Sequence, residues 1–416
     1  MNVELEINNS QDPKARYVSW TPSACRIRVT NPAGIVGANA TVQFTSVSAA
    51  SAGAIAFRAG TTGAFTDSLR LTVPASGASV PFFVAGKFGR PSTNDQDVRI
   101  EARAGLAPGQ PLTNLVGTVR LMVRIRKNAN RLTVGERDRF VLAFATLNDQ
   151  GRGRFKDFRD MHTDISDPQA HRAPGFLPWH RAYLLDLERE LQAIDSSVAL
   201  PYWRFDQAAP NLFTRDFIGV SDLNGTVRFS NTNPLQFWVA DGFPGVNRRP
   251  LNDWNPANAG SPRVINEAQT LALGTTYPPF RTMEVNPHGD AHVSFGGSIS
   301  SIGTAARDPL FFLLHCNVDR MWAKWQKQNN RFNPAQAASY DSTPPSRIGH
   351  NLPDTMWPWN GITGGSRPPT APGGPLRGSP CVTAPGPQPR VRDSLDFQGV
   401  VNATSRLGFD YDDVRF

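Results

Sequence analysis

Cysteine is scarce in this sequence: three in 416 residues, Cys25, Cys316 and Cys381, odd in number and far apart. That pattern argues against a disulfide framework and fits reduced thiols. No apolar run is long enough to span a bilayer as a helix. The opening residues, MNVELEINNS, have neither a basic start nor an apolar stretch. No secretory signal is visible, and the expectation is a cytoplasmic protein unless a partner carries it out. The net charge is +8, yet no run of five or more basic residues occurs and the excess is spread as isolated arginines. A solvated basic surface accounts for it, with no nucleic acid and no membrane among the expected partners. Histidine is absent from the first 128 residues, which therefore carry no visible chemistry.

What those 128 residues do carry is alternation. Cys25-Arg26-Ile27-Arg28-Val29, Val42-Gln43-Phe44, Leu69 to Val73, Val98-Arg99-Ile100 and Val119 to Ile125 all follow period two. Gly, Ser, Pro and Asn clusters separate them. Some seven short strands are predicted, forming an all-β, sandwich-like domain over 1–128 that serves packing, assembly or cover of a site. Near Asn128 the period changes to about 3.6. Thr133 and Glu136 are spaced as a capping box, and Phe140, Phe144 and Leu147 continue one apolar helical face. A mainly α domain is predicted over 129–416, with a long loop-rich stretch at about 204–282. Within it, 361–392 is Pro/Gly-rich and irregular, and 394–413 is expected to close the domain as a strand segment.

The stretch DPLFFLLHCNVDRMWAKWQ, Asp308 to Gln326, organises this second domain. Asp308 and Pro309 are a helix start, and Leu310, Leu314, Val318, Met321, Trp322 and Trp325 recur at helical spacing. His315 stands among them. A lone histidine there would be a core residue, but it is not alone. His162, His171 and His180 form one set and His288, His292 and His315 a second, with His350 outside both. His288 and His292, four apart, would share a helix face. Neutral imidazole donates one lone pair to a metal while its other nitrogen is held by an acceptor. Three histidines per ion leave coordination positions open, an arrangement suited to catalysis. Two sets imply two adjacent metals. Copper fits better than zinc, since binuclear zinc sites commonly carry bridging carboxylates and none is placed among these ligands.

These residues also carry a resemblance. DPLFFLLHCNVDRMWAKWQ resembles the second copper motif of the type-3 copper proteins (tyrosinases, catechol oxidases, haemocyanins), and AHRAPGFLPWHRAYLLDLERELQ resembles the first. Pro201-Tyr202-Trp203 and Leu407 to Tyr411 are similar to two further signatures of that family. The resemblance spans about residues 131 to 413, is closest to bacterial-type tyrosinases, and implies a four-helix-bundle copper core with long loops. Position by position, it implies that His162, His171 and His180 bind one copper and His288, His292 and His315 the other, with O2 as co-substrate. Where the family's thioether-forming cysteine would stand, this chain has Gln169, so no crosslink is expected. Cys316 is expected to be a small buried helix residue.

The activity implied is ortho-hydroxylation of monophenols and oxidation of o-diphenols to o-quinones, a step of the melanin-forming kind. Small phenols are the expected partners, and the sequence allows a homo-oligomer. Glu284 resembles the family's water-holding glutamate and would act on the phenol proton. Gly289 stands where strong hydroxylases often have Asn, and Asp290 would be the substitute acceptor. Val293 and Ile302 would line the substrate pocket, Ile302 leaving it open where plant catechol oxidases often place Phe. No plug domain follows Tyr411, so activity without proteolysis is the expectation. The alternatives are a catechol or o-aminophenol oxidase with weak monophenolase activity and, in a different class, a haemocyanin-like O2 carrier.

Overall fold

A computed structural model describes residues 1–105, 107, 109–341 and 348–416. It divides into two compact units, one of residues 1–125, 379–383 and 408–416, the other of 126–378 and 384–407. A β-rich N-terminal region is followed by a helical one, and among the described residues no helix is long and apolar enough to cross a membrane.

Among its described residues the first unit holds nine strands rather than seven: β1 (Asn2–Ile7), β2 (Tyr17–Val18), β3 (Ser23–Asn31), β4 (Asn39–Ser48), β5 (Ile55–Arg58), β6 (Ser68–Pro74), β7 (Val80–Gly86), β8 (Val98–Gly105) and β9 (Asn114–Val123). They form two sheets, β1-β3-β7-β5 and β2-β9-β8-β4-β6. Ile27 and Phe82 of one sheet and Phe44, Ile100 and Leu121 of the other belong to one apolar core, the burial that makes two half-wet sheets stable. Strands β2 and β5 escape period-two detection because they are short and, except for the half-buried Arg58, buried throughout.

The second unit is organised by α1 (Val134–Asn148), α2 (Phe155–Met161), α3 (Asp167–Ala170), α4 (Phe176–Ile194), α5 (Glu267–Leu271), α6 (Tyr277–Phe280), α7 (Asp290–His292) and α8 (Leu310–Asn329). Thr133 and Glu136 cap α1 reciprocally. At the start of α8, Asp308 Oδ1 accepts the Leu310 N–H at 2.9 Å. Helix α8 is buried on nearly all sides rather than along one stripe. The described chain over 394–413 contains 3-10 turns at Val391–Ser394 and Ala403–Ser405 and no ladder strand, which corrects the expected closing strand. Its alternation is too short, and too broken by Gly399 and Gly408 (both at positive φ), to hold a pairing edge.

Helices α4 and α8 are pinned to each other by buried charge. Arg181 Nε lies 2.6 Å from Asp319 Oδ1. Arg126 bridges Asp319 Oδ2 at 3.2 Å and Glu188 Oε2 at 2.8 Å. All four groups are buried. Arg181 also donates to Gln326 Oε1 and the Ser394 carbonyl, and its guanidinium lies 3.8 Å from the centre of the Trp322 ring. Removing one carboxylate leaves guanidinium charge buried with too few partners. Asp319→Leu is expected to cost about 3–5 kcal/mol of stability, read by chemical denaturation; a loss below ~1 kcal/mol would show that the cluster does not tie α4 to α8.

Candidate metal centre

The predicted ligands sit on three kinds of backbone: helix ends, long helices and a π-to-α run. His162 is the residue that ends α2, and His171 follows α3. His180 lies in α4 and His315 in α8. His288 lies in a π turn, Val285–Gly289, and His292 ends α7. The backbone from His288 to His292 is continuously helical, π to Gly289 and α from Asp290, and their ring centres are 4.8 Å apart. His180 and His315 stack at 4.3 Å with 12° between planes.

Two groups of ligand nitrogens lie within 4.8 Å of one another: His162, His180 and His315, and His288, His292 and His315. His315 is thus common to both. His171 stands beside the first group, its ring 5.0 Å from His162 and 5.1 Å from His180. Its Nδ1 is 3.4 Å from Asp167 Oδ1.

The hydrogen bonds decide which nitrogens are free for a metal. His180 Nδ1 lies 2.9 Å from the Phe176 carbonyl, His288 Nδ1 2.7 Å from that of Glu284, and His292 Nδ1 2.7 Å from that of Ile299. A carbonyl only accepts, so the proton sits on Nδ1 and Nε2 is a bare lone pair. His288 Nε2 and His292 Nε2 both face His315 Nε2, at 3.3 and 3.1 Å. His315 can donate one proton there at most, so at least one of these pairs sets lone pair against lone pair. A cation resolves that conflict. His180 Nε2 is likewise buried without a hydrogen-bond partner. Among the described residues no carboxylate or thiolate joins either group, so the donor set is imidazole alone, which fits copper.

Burial keeps all six rings neutral. It holds His162 down at about 3 and His292 at about 4, and depresses His171, His180, His288 and His315 well below the ordinary value, neighbouring imidazoles adding to the effect. Phe176 and Phe311 supply the dry collar: Phe176 lies 4.7 Å from His180 and 4.8 Å from His288, and Phe311 4.7 Å from His162 and 4.2 Å from His315.

A cavity of about 550 Å³ opens onto this cluster, with His162, His171, His288 and His292 in its wall. Glu284, Gly289, Val293 and Ile302 line it as the sequence reading requires. Asp290 is not among the lining residues; its carbonyl accepts the Ser294 hydroxyl at 2.6 Å. Glu284 Oε1 accepts the Arg172 N–H at 2.6 Å. Burial pushes its carboxyl up to about 7, against the opposing Arg172 hydrogen bond. Cys316 is buried, its thiol 3.5 Å from the Leu200 carbonyl. Gln169 is hydrogen-bonded to the Ile348 carbonyl and Arg367.

His350, expected either at the surface or behind the ligands, takes the second place. It is fully buried, Nδ1 accepting the Gly175 N–H at 3.2 Å and Nε2 lying 2.8 Å from the Pro168 carbonyl. It therefore clamps both ends of the loop that carries His171. A Cβ at position 175 would meet His350 Nδ1 at 2.4 Å, which is why glycine stands there. The invitation to this reading was Gly175 just ahead of a helix, but nothing in the spacing links it to a residue so far along the chain.

Residues 152–328 match the family model described as the common central domain of tyrosinase. The chain is 34% identical over 267 residues to a tyrosinase of Streptomyces glaucescens, covering 57% of this chain and 92% of that one. It is 31% identical over 277 residues to a tyrosinase of Streptomyces antibioticus, covering 58% and 94%. It is also 30% identical over 298 residues to the grixazone synthase of Streptomyces griseus subsp. griseus, covering 58% and 94%.

Metal titration tests the centre. Metal-free protein is expected to take up two copper ions per chain, and His315→Ala at most one. A single ion in the unchanged protein would contradict the double site. His350→Ala is expected to weaken one of the two ions by about tenfold through the loosened His171 loop; equal weakening of both, measured by chelator competition, would contradict the clamp.

Proposed function

This chain belongs to the tyrosinase family, and from that membership we propose that it oxidises small phenols with O2 at two coppers, one held by His162, His171 and His180, the other by His288, His292 and His315. The convergence of unprotonated Nε2 atoms on His315 carries the reading. Helices α1, α2, α4 and α8 form the four-helix core of such a centre: α2, α4 and α8 bear or abut ligands, and Phe144 of α1 packs on Phe155 of α2 and Phe312 of α8 at 5.4 and 5.5 Å. When bound, the copper pair supplies the electron transfer between O2 and the ring.

The rest is the work of this chain's side chains. Val285, Val293, Ile299, Ile302 and Ala305 give the cavity apolar walls that accept an aromatic ring. Phe176 and Phe311 keep water from the histidines. A phenol with an ordinary pKa of roughly 10 must give up its proton to bind a metal well. Glu284, held by the Arg172 N–H through Oε1, is the acceptor, directly or through one water. An o-diphenol is more readily oxidised and depends on that help less.

Aerobic assay of copper-loaded protein with tyrosine and dopa side by side separates hydroxylase, diphenolase and O2 carrier; absence of oxidation of both would favour the carrier. Glu284→Gln is expected to lower monophenol turnover by about tenfold or more and diphenol turnover much less; equal losses would remove Glu284 from the proton step. At Gly289, in a helical conformation with φ −59°, an added Cβ would meet only the Glu284 carbonyl, at an ordinary 3.4 Å. Gly289→Asn, restoring the residue common in strong hydroxylases, is expected to raise the monophenol-to-diphenol ratio; an unchanged ratio would show that this position does not set it.

A further inference from the structure

The cavity wall carries three ionisable groups other than histidine: Glu284, Arg172 and Arg281. Glu284 is engaged by the Arg172 N–H. The two guanidinium groups are under-used. Arg172 Nε lies 3.6 Å from Asp167 Oδ2, and Arg281 Nε 3.6 Å from Asp341 Oδ2, both longer than a hydrogen bond. Neither Asp167 nor Asp341 lines the cavity. Arg281 Nε is buried and has no hydrogen-bond partner, a condition that costs free energy until an acceptor arrives.

Both arginines are also placed by the backbone that places the metal ligands. Arg172 follows His171 directly, in a left-handed conformation with φ 58°. Arg281 opens the 3-10 turn Arg281–Glu284 that runs into the π turn bearing His288. A guanidinium presents a planar fork of donors matched to a carboxylate and always carries its charge. The walls between are apolar, so a bound molecule would be ring in the interior and charge at the rim.

We propose that Arg172 and Arg281 make the cavity mouth anion-selecting, so that among phenols of equal size the preferred substrates carry a carboxylate on the ring substituent remote from the hydroxyl. This rests on the reading that the cavity admits phenols, and deepens it to a substrate class. Neutral analogues fill the same walls but leave the forks unmatched, and amines meet like charge.

The test compares kcat/KM of the copper-loaded protein for 3-(3,4-dihydroxyphenyl)propionate, 4-methylcatechol and dopamine, at low and high salt. The expected order is anionic over neutral over cationic, with the anionic substrate favoured by about tenfold at low salt and the gap narrowing as salt screens it. Arg281→Gln, and Arg172→Asn (a residue that tolerates the left-handed backbone), are each expected to reduce the anionic-to-neutral ratio. If 4-methylcatechol is oxidised and the ratio is near one, or is unmoved by both variants, the proposal is overturned while the phenol-oxidase reading stands. If none of the three is oxidised, that reading fails, and calorimetry on metal-free protein with 3-(4-hydroxyphenyl)propionate decides the rim separately. Salt-sensitive binding that is lost in the double variant supports it; no binding, or binding indifferent to both arginines, overturns it.

Discussion

Helices α4 and α8 cannot part without uncovering two arginines and two carboxylates that have almost no access to water. Arg181 is adjacent to His180 in sequence, and Asp319 is one helical turn beyond His315. The 2.6 Å ion pair between Arg181 and Asp319 and the 4.3 Å stacking of His180 on His315 therefore belong to one layer of the same helix pair. A buried ion cluster is a poor source of net stability, because desolvation offsets much of the attraction, but a wrong register would strand its charges. Here the cost of slipping by a turn is the loss of both pairs at once. The helix pair that carries one ligand to each side of the centre is held by the most register-sensitive interaction available.

Orientation of the remaining rings follows a second, local rule. His180 and His288 each direct Nδ1 at the carbonyl four residues earlier, so the helical or π backbone that carries the ring also sets its tautomer. His292 uses the Ile299 carbonyl, seven residues on, instead. None of these acceptors can be lost by side-chain mutation, since each is main chain. The result is a cluster in which several lone pairs point inward and the rings cannot relieve the conflict by charging, because burial beside other imidazoles opposes protonation.

Much of this was legible in the sequence because the strongest signals are periodic or local. The alternation in β3, β4, β6, β8 and β9 exposed the first unit, the Thr133–Glu136 box set the start of α1, and Asp308 marked the start of α8 within two residues. The ligand sets stood out because histidine is confined to them, apart from His350. What the sequence hid is non-local. The pairing of His350 with Gly175 and Pro168, and the position of Arg172 over Glu284, depend on loops meeting across more than a hundred residues.

The division of labour between regular and irregular backbone bears on how selectivity can vary. Two of the ligands, His180 and His315, belong to long helices whose packing is nearly incompressible, and changes there disturb the core. Most of the cavity wall instead comes from one irregular run, residues 281 to 305, which supplies Arg281, Glu284, Gly289, Val293, Ile299 and Ile302. Its short 3-10, π and α turns, and the Ile299 carbonyl that holds His292, join wall to centre through main-chain atoms. Side chains on that run can therefore change the size and charge of what enters while the carbonyls that orient His288 and His292 stay in place. A centre of this construction holds its ligand rings by main-chain atoms while the side chains of that run set the size and charge of the cavity.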